Sequence, residues 1–328
     1  MTALSTKDSH IVLRFLAAPM DITYGGTVHG GKLLEWIDKA GYACAAGWSG
    51  RYCVTVYVGD VRFTRPVAIG EIVEVEARLV HTGRTSMHIL VSVSSADPKT
   101  GEYTEATRCL TVFVAVDPDG RPAPVPAWQP TTSEAQQLQA GALRSAKVRA
   151  DIEAAMEQQT YTAAGTALER TLRFLAAPSD VNWGGKVHGG TVMRWIDEAA
   201  YACAVGWVGG RPLADHAIGV YSGGIHFLAP VRIGDLVEVD ARIILTGPHS
   251  MHVSTRVWTA DPRTPDQLTL TTQCLSVFVV PDDSGVALPV PQWKPELPED
   301  VRLHEHARAI VGLRETIVPI AASLTLEP

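Results

Sequence analysis

Apolar and polar residues alternate over long stretches of this chain. Val73, Val75, Ala77 and Leu79 are interleaved with Glu74, Glu76 and Arg78, the period of two that marks a half-buried strand. The same pattern predicts strands around Val54, Val56 and Val58, over 87–96 and over 106–116, the last two joined through Asp97-Pro-Lys-Thr-Gly101. Residues 10–18 are apolar and β-branched and are cut off at Pro19, which predicts a strand followed by a loop. Between Gly31 and Gly47 the chain has no proline and is apolar nearly all round. That predicts a helix over about 32–46, buried on most sides. One helix among four or five meandering strands leaves no crossovers for a parallel sheet. The predicted unit is therefore α+β, a curved antiparallel sheet wrapped around one long central helix.

The pattern then comes a second time. Aligned at an offset of 159, residues 13–48 and 172–207 are identical at 24 of 36 positions, so each copy reads as one structural unit. Phe63-x-x-Pro66-x-x-x-Gly70-Glu71 returns as Phe227-x-x-Pro230-x-x-x-Gly234-Asp235 at an offset of 164. A second central helix is predicted over 191–205. The proline-rich stretch 118–130 is expected to leave the first core, with charged helices over 132–158 and 299–315. The predicted organisation is a first domain over 1–130, a helical linker over 131–164 and a second domain over 165–328.

Net charge is −7 with a pI near 5.9 and there is no Lys/Arg run. No nucleic-acid or anionic-membrane partner is predicted from that balance. No stretch approaches the roughly 18 consecutive apolar residues of a membrane span, and the N-terminus lacks a basic start followed by an apolar run. A soluble, cytoplasmic protein is expected. Five cysteines without a C-x-x-C spacing read as small buried hydrophobes, so no metal site is predicted.

Asp38 lies on a helical face with Leu34, Gly41, Tyr42 and Ala45, and Asp197 lies with Met193, Ala200, Tyr201 and Ala204. A carboxylate on such a face is costly to bury, and desolvation makes it a better base near neutral pH. Val-His-Gly-Gly ends at each helix start, where free N–H groups of Gly189 and Gly190 can hold an oxyanion. His29 and His188 are expected to fix their loops by hydrogen bonds, and no acid at a fixed spacing pairs with either. Seven residues at about 1.5 Å each put Asp38 roughly 10 Å along the helix from Gly31, too far to serve its own loop. If the copies pair about a pseudo-twofold, two composite sites result, Asn182 with Asp38 and Thr23 with Asp197. On this view Asp38→Asn and Asp197→Asn each neutralise a poorly solvated charge while keeping its shape, and stability moves little or rises in both.

These residues resemble the hot dog fold acyl-CoA thioesterases in their tandem form. The motif is Asn182-x-x-Gly185-x-x-x-Gly189-Gly190 followed by Asp197 on the helix. The resemblance implies hydrolysis of acyl-CoA to free acid and coenzyme A between paired domains, with CoA as part of the substrate and no further cofactor. It implies that the acid serves as base or nucleophile, the asparagine orients water or thioester, and helix-end amides polarise the carbonyl. Thr23 replaces asparagine in the first copy, which implies a weak or silent Thr23/Asp197 site. The turn Thr82-Gly-Arg84-Thr-Ser86 resembles the family's CoA-contacting turn, so Arg84, Ser86 and His188 are candidate substrate-binding residues. A homo-oligomer of double units is expected. The alternatives are a non-catalytic acyl-CoA sensor and an enoyl-CoA hydratase; hydratases of this fold hold their Asp and His within about five residues on one segment, whereas Asp21 and His29 are eight apart, which counts against the latter.

Overall fold

A computed structural model describes residues 9–22, 26–159, 165–182, 184–209 and 217–317. The first copy runs β1 (His10–Leu16), α1 (Gly30–Ser49), β2 (Cys53–Gly59), β3 (Val61–Arg62), β4 (Ile72–Thr82), β5 (Ser86–Ala96) and β6 (Thr104–Ala115). Helix α2 (Ser133–Glu157) leads to the second copy: β7 (Glu169–Leu175), α3 (Gly189–Val208), β8 (Ile218–Phe227), β9 (Leu236–Thr246), β10 (Met251–Ala260) and β11 (Thr269–Val279). Helix α4 (Pro298–Glu315) follows.

The strands form one antiparallel sheet in the order β1-β4-β5-β6-β2-β8-β11-β10-β9-β7, with β3 also paired to β8. Each half is a hot dog fold, and the two are joined edge to edge. At the seam Tyr57 faces His226 and Val58 faces Ile225, while Val61 and Arg62 face Ser222 and Tyr221. The alternation read from β4 is the alternation seen, since Val73, Val75, Ala77 and Leu79 are buried and Glu74, Glu76 and Arg78 are not. They pack beneath α1, which buries Leu33, Leu34, Trp36, Ile37 and Ala40. Each of the leucines and the isoleucine contributes about 1.5–3 kcal/mol by leaving water.

Both central helices extend beyond the predicted spans, because their ends are well satisfied. At the start of α1 the N–H of Gly31 donates to Asp197 Oδ2 of the second copy, and at its end Gly50 closes the helix in the left-handed conformation (φ 65°), donating to Ala46 O. The helices meet backbone to backbone. A Cβ on Gly31 would fall 2.8 Å from Arg194 Cα, and one on Gly190 would fall 2.8 Å from Glu35 Cα. Glycine is therefore required at both positions by the close approach.

The proline-rich stretch does not leave the first core. Trp48 Nε1 donates to Pro126 O and the N–H of Trp128 donates to Thr82 Oγ1, which folds the segment back over the end of α1. Ala123 is buried there and Val125 packs on the core. Proline lacks an N–H but keeps its carbonyl, and that carbonyl is the group used. The second copy repeats the arrangement with Trp207 on Pro291 and Trp293 on Thr246. Helix α2 is more than a charged connector. Leu138 and Ala142 pack with Val80, Leu90 and Leu110 of the first copy, while Ile152 and Met156 pack with Ile244, Leu275 and Leu303 of the second. Among the described residues no helix is long and apolar enough to cross a membrane.

Candidate active site

Asp38 sits on the buried face of α1 with 1% of its surface exposed. Its partners come from both copies. Oδ2 accepts the N–H of Gly190 at 2.7 Å and lies 2.7 Å from His188 Nδ1, while Oδ1 accepts the hydroxyl of Thr55 at 2.6 Å. A carboxylate has only acceptors, so the proton between the ring and the acid is assigned to Nδ1. Three donors thus offset the desolvation of one buried charge. Burial, the largest influence on His188, works against its cation, but the hydrogen bond and charge of Asp38 outweigh it and raise its pKa above 6.5.

This contact shows why no acid at a fixed spacing could be found for His188 in the sequence. The acid belongs to the other copy, and only the pairing of α1 with α3 brings it there. Gly189 is needed for the same reason. A Cβ at Gly189 would lie 3.1 and 3.3 Å from the carboxylate oxygens of Asp38 and 3.0 Å from Thr55 Oγ1. The amide of Gly190 is held by the acid, which leaves Gly189 as the helix-end residue facing the cavity.

That cavity, of about 280 Å³, is lined by Asp38, Tyr42, Tyr52, Thr55, Asn182 and His188 among others. Asn182 is locked into its loop, its Oδ1 accepting the N–H groups of Gly184 (2.9 Å) and Lys186 (3.1 Å). Nδ2 makes a long 3.4 Å bond to Val187 O. Tyr52 of the first copy lies against this loop, since a Cβ on Gly184 would fall 2.7 Å from its hydroxyl oxygen. Burial and the neighbouring Tyr42 push the Tyr52 phenol up to about 12.

The second arrangement is related but poorer. Asp197 Oδ2 accepts the N–H of Gly31 at 2.7 Å and meets His29 Nδ1 at 2.5 Å. His29 is raised in the same way, burial opposing and Asp197 prevailing. Where Thr55 stands, the second copy has Gly219, so the hydroxyl is missing. A larger cavity, about 610 Å³, lies over Asp197. Thr23 lies outside the described residues.

Thr55 went unnoticed in the sequence. Comparing the copies at the offset of 164 that aligns Phe63 with Phe227 sets Thr55 against Gly219, and that mismatch was the available signal. Arg84 and Ser86 do not line the cavity. Arg84 is exposed on the β4–β5 turn, and Ser86 is opposite Val114, which is opposite Val54. Two strand spacings, about 10 Å, therefore separate that turn from β2. Asp21 is a turn residue: its carboxylate accepts from Ala18 N and pairs with Lys32. All five cysteines are buried, and burial pushes the Cys53 thiol up to about 11. Among the described residues no cluster of His, Cys, Asp and Glu could hold a metal.

The family model described as the thioesterase superfamily matches residues 25–102 and 184–265, once in each copy. Acyl-CoA thioester hydrolase YciA of Salmonella typhimurium is 39% identical over 125 residues, 37% of this chain and 94% of that protein. Protein VdlD of Helicobacter pylori is 32% identical over 148 residues, 45% of this chain and 83% of that protein. A solved protein described as an oleoyl thioesterase from Lactobacillus plantarum is only 10% identical. It nevertheless covers 86% of this chain and 97% of its own at a TM-score of 0.56, which shows a shared fold across both copies.

Proposed function

Because this chain belongs to the thioesterase superfamily, we propose that it hydrolyses acyl-CoA to a free acid and coenzyme A, at the site between Asp38 and Asn182. The observation that carries this reading is the setting of Asp38: a buried carboxylate, oriented by Thr55, His188 and Gly190, at the wall of a cavity shared with Asn182.

In the proposed reaction the thioester carbonyl oxygen points to the N–H of Gly189 at the positive end of α3, which stabilises the developing oxyanion. Asp38 takes a proton from a water held by the Asn182 amide, and the resulting hydroxide adds to the carbonyl carbon. Collapse of the tetrahedral intermediate breaks the carbon–sulfur bond, and the departing sulfur takes the proton held by Asp38 and leaves as the CoA thiol. Thr55 keeps the carboxylate turned so that one oxygen can accept the water proton, and His188 balances the buried charge. Arg84 and Ser86, on the exposed turn, are proposed to meet the coenzyme A portion outside the cavity, Arg84 by pairing with a phosphate. The Thr23/Asp197 site is proposed to be silent. The reaction requires no further cofactor, and the double units are proposed to assemble into a cytoplasmic homo-oligomer. Sedimentation at the mass of one 35.2 kDa chain would overturn that assembly.

A thiol-release assay across acyl-CoA chain lengths tests the activity. Release of one thiol per acid formed, lost in Asp38→Asn, is expected. Tight binding without thiol release would instead make the protein a sensor, and hydration of an enoyl-CoA would make it a hydratase.

A further inference from the structure

The two copies differ at one more set of neighbouring positions, around a phenylalanine common to both. We propose that Gly41 is a positioning residue for the Asp38 site: it lets the Phe113 ring withdraw against α1, so that Thr55 has room to reach the acid. The inference rests on Asp38 being the reacting carboxylate.

Thr55 and Phe113 are opposite each other on β2 and β6. Such partners project from the same face of the sheet, with Cβ atoms about 5 Å apart. Helix α1 passes over them, and Gly41 comes three residues after Asp38. A Cβ on Gly41 would stand 2.7 Å from Phe113 Cε2 and 3.0 Å from Cζ. The ring therefore occupies the volume that a methyl would take. Phe113 is fully buried and has no part in lining the Asp38 cavity.

In the second copy Ala200 stands at the place of Gly41, and Phe278 is opposite Gly219 on β11 and β8. Here the methyl is present, and the ring cannot lie where Phe113 lies. Its Cε1 and Cζ stand 3.6 and 3.7 Å from the Cβ position of residue 219, and the ring lines the cavity over Asp197. The bare Gly219 leaves that space open. A threonine there would bring its branched hydroxyl and methyl against the ring. Glycine on the helix with threonine on the strand, and alanine on the helix with glycine on the strand, are thus two self-consistent packings of one phenylalanine. Only the first places a hydroxyl on the acid. Close-packed interiors admit such alternatives and resist mixtures of them.

Two sets of variants test this, compared at matched melting behaviour. Gly41→Ala should lower kcat for acyl-CoA at least tenfold with KM within twofold, because the displaced ring moves Thr55 off Asp38. Adding Phe113→Leu to Gly41→Ala should recover most of kcat, since the shorter side chain tolerates the methyl. A double variant no better than the single one overturns the inference. In the second set, the Asp38→Asn chain receives Thr23→Asn and Gly219→Thr, with or without Ala200→Gly. Turnover at least tenfold above Asp38→Asn is expected only when Ala200→Gly is included. Equal recovery without it, or none with it in a folded chain, overturns the inference while leaving the thioesterase assignment standing. A wild-type chain that releases no thiol removes both.

Discussion

At the scale of single residues the two acids are equivalent in sequence and unequal in their surroundings. Asp38 has Thr55 on Oδ1 and shares its cavity with Asn182; Asp197 has Gly219 where the hydroxyl would be. Asp38→Asn is expected to lower kcat at least a hundredfold, about 2.7 kcal/mol of barrier, whereas Asp197→Asn keeps most of it. Steady-state rates of the two purified variants decide the matter, and an inactive Asp197→Asn would reverse the assignment. The stability side must be revised from the sequence-based expectation. His188 bears a raised pKa against Asp38, so removing the acid leaves a partly buried histidine cation without its counter-ion and costs about 1–3 kcal/mol. The pH dependence follows from the same pair. A histidine raised above 6.5 in the folded protein contributes its full stabilisation below that value and loses it as pH rises through the raised one. Wild-type melting temperature should therefore fall between pH 6.5 and the alkaline side, with a smaller fall in Asp38→Asn. A wild-type curve flat over that range would show that the histidines are not held as cations.

At the scale of elements, helix starts and helix contacts carry the site. Gly190→Ala puts a methyl 2.8 Å from Glu35 Cα, and overpacking of this kind costs about 1–3 kcal/mol. Gly47 is in the same class of residue but in another setting: it is exposed on α1 with nothing within 4 Å of an added Cβ. Gly47→Ala should stabilise by about 0.5–1 kcal/mol. Urea midpoints for the two variants should move in opposite directions. This level was also the most legible in the sequence. The helices, the alternation of β4 and the crossing of acid and loop follow from periodicity and from the rise of a helix, which are local. Thr55 and the His188–Asp38 contact were not legible, because they depend on the register of β2 beneath α1 and on the approach of two helices from different copies. The packing of residues 118–130 against the first core is hidden from the sequence for a similar reason. Proline marks the end of a strand, but the groups that draw the segment back, Trp48 and Thr82, are far away in sequence.

At the scale of the molecule, the halves are fastened in three ways: the β2–β8 seam, the glycine contact between α1 and α3, and α2, which is buried at one end on the first copy and at the other on the second. The two halves should therefore melt in a single calorimetric transition, with calorimetric and van't Hoff enthalpies equal. Two resolved transitions would mean that the seam is weak enough for the halves to unfold separately. Covalent linkage through α2 also has a genetic consequence. In a twofold dimer of identical chains every substitution is made twice, so exchanging a threonine for glycine beneath the acid would damage both sites at once. Within one chain the copies are inherited separately, and a change such as that at Gly219 touches a single site. A substitution in one copy can therefore alter one site and leave the other unchanged.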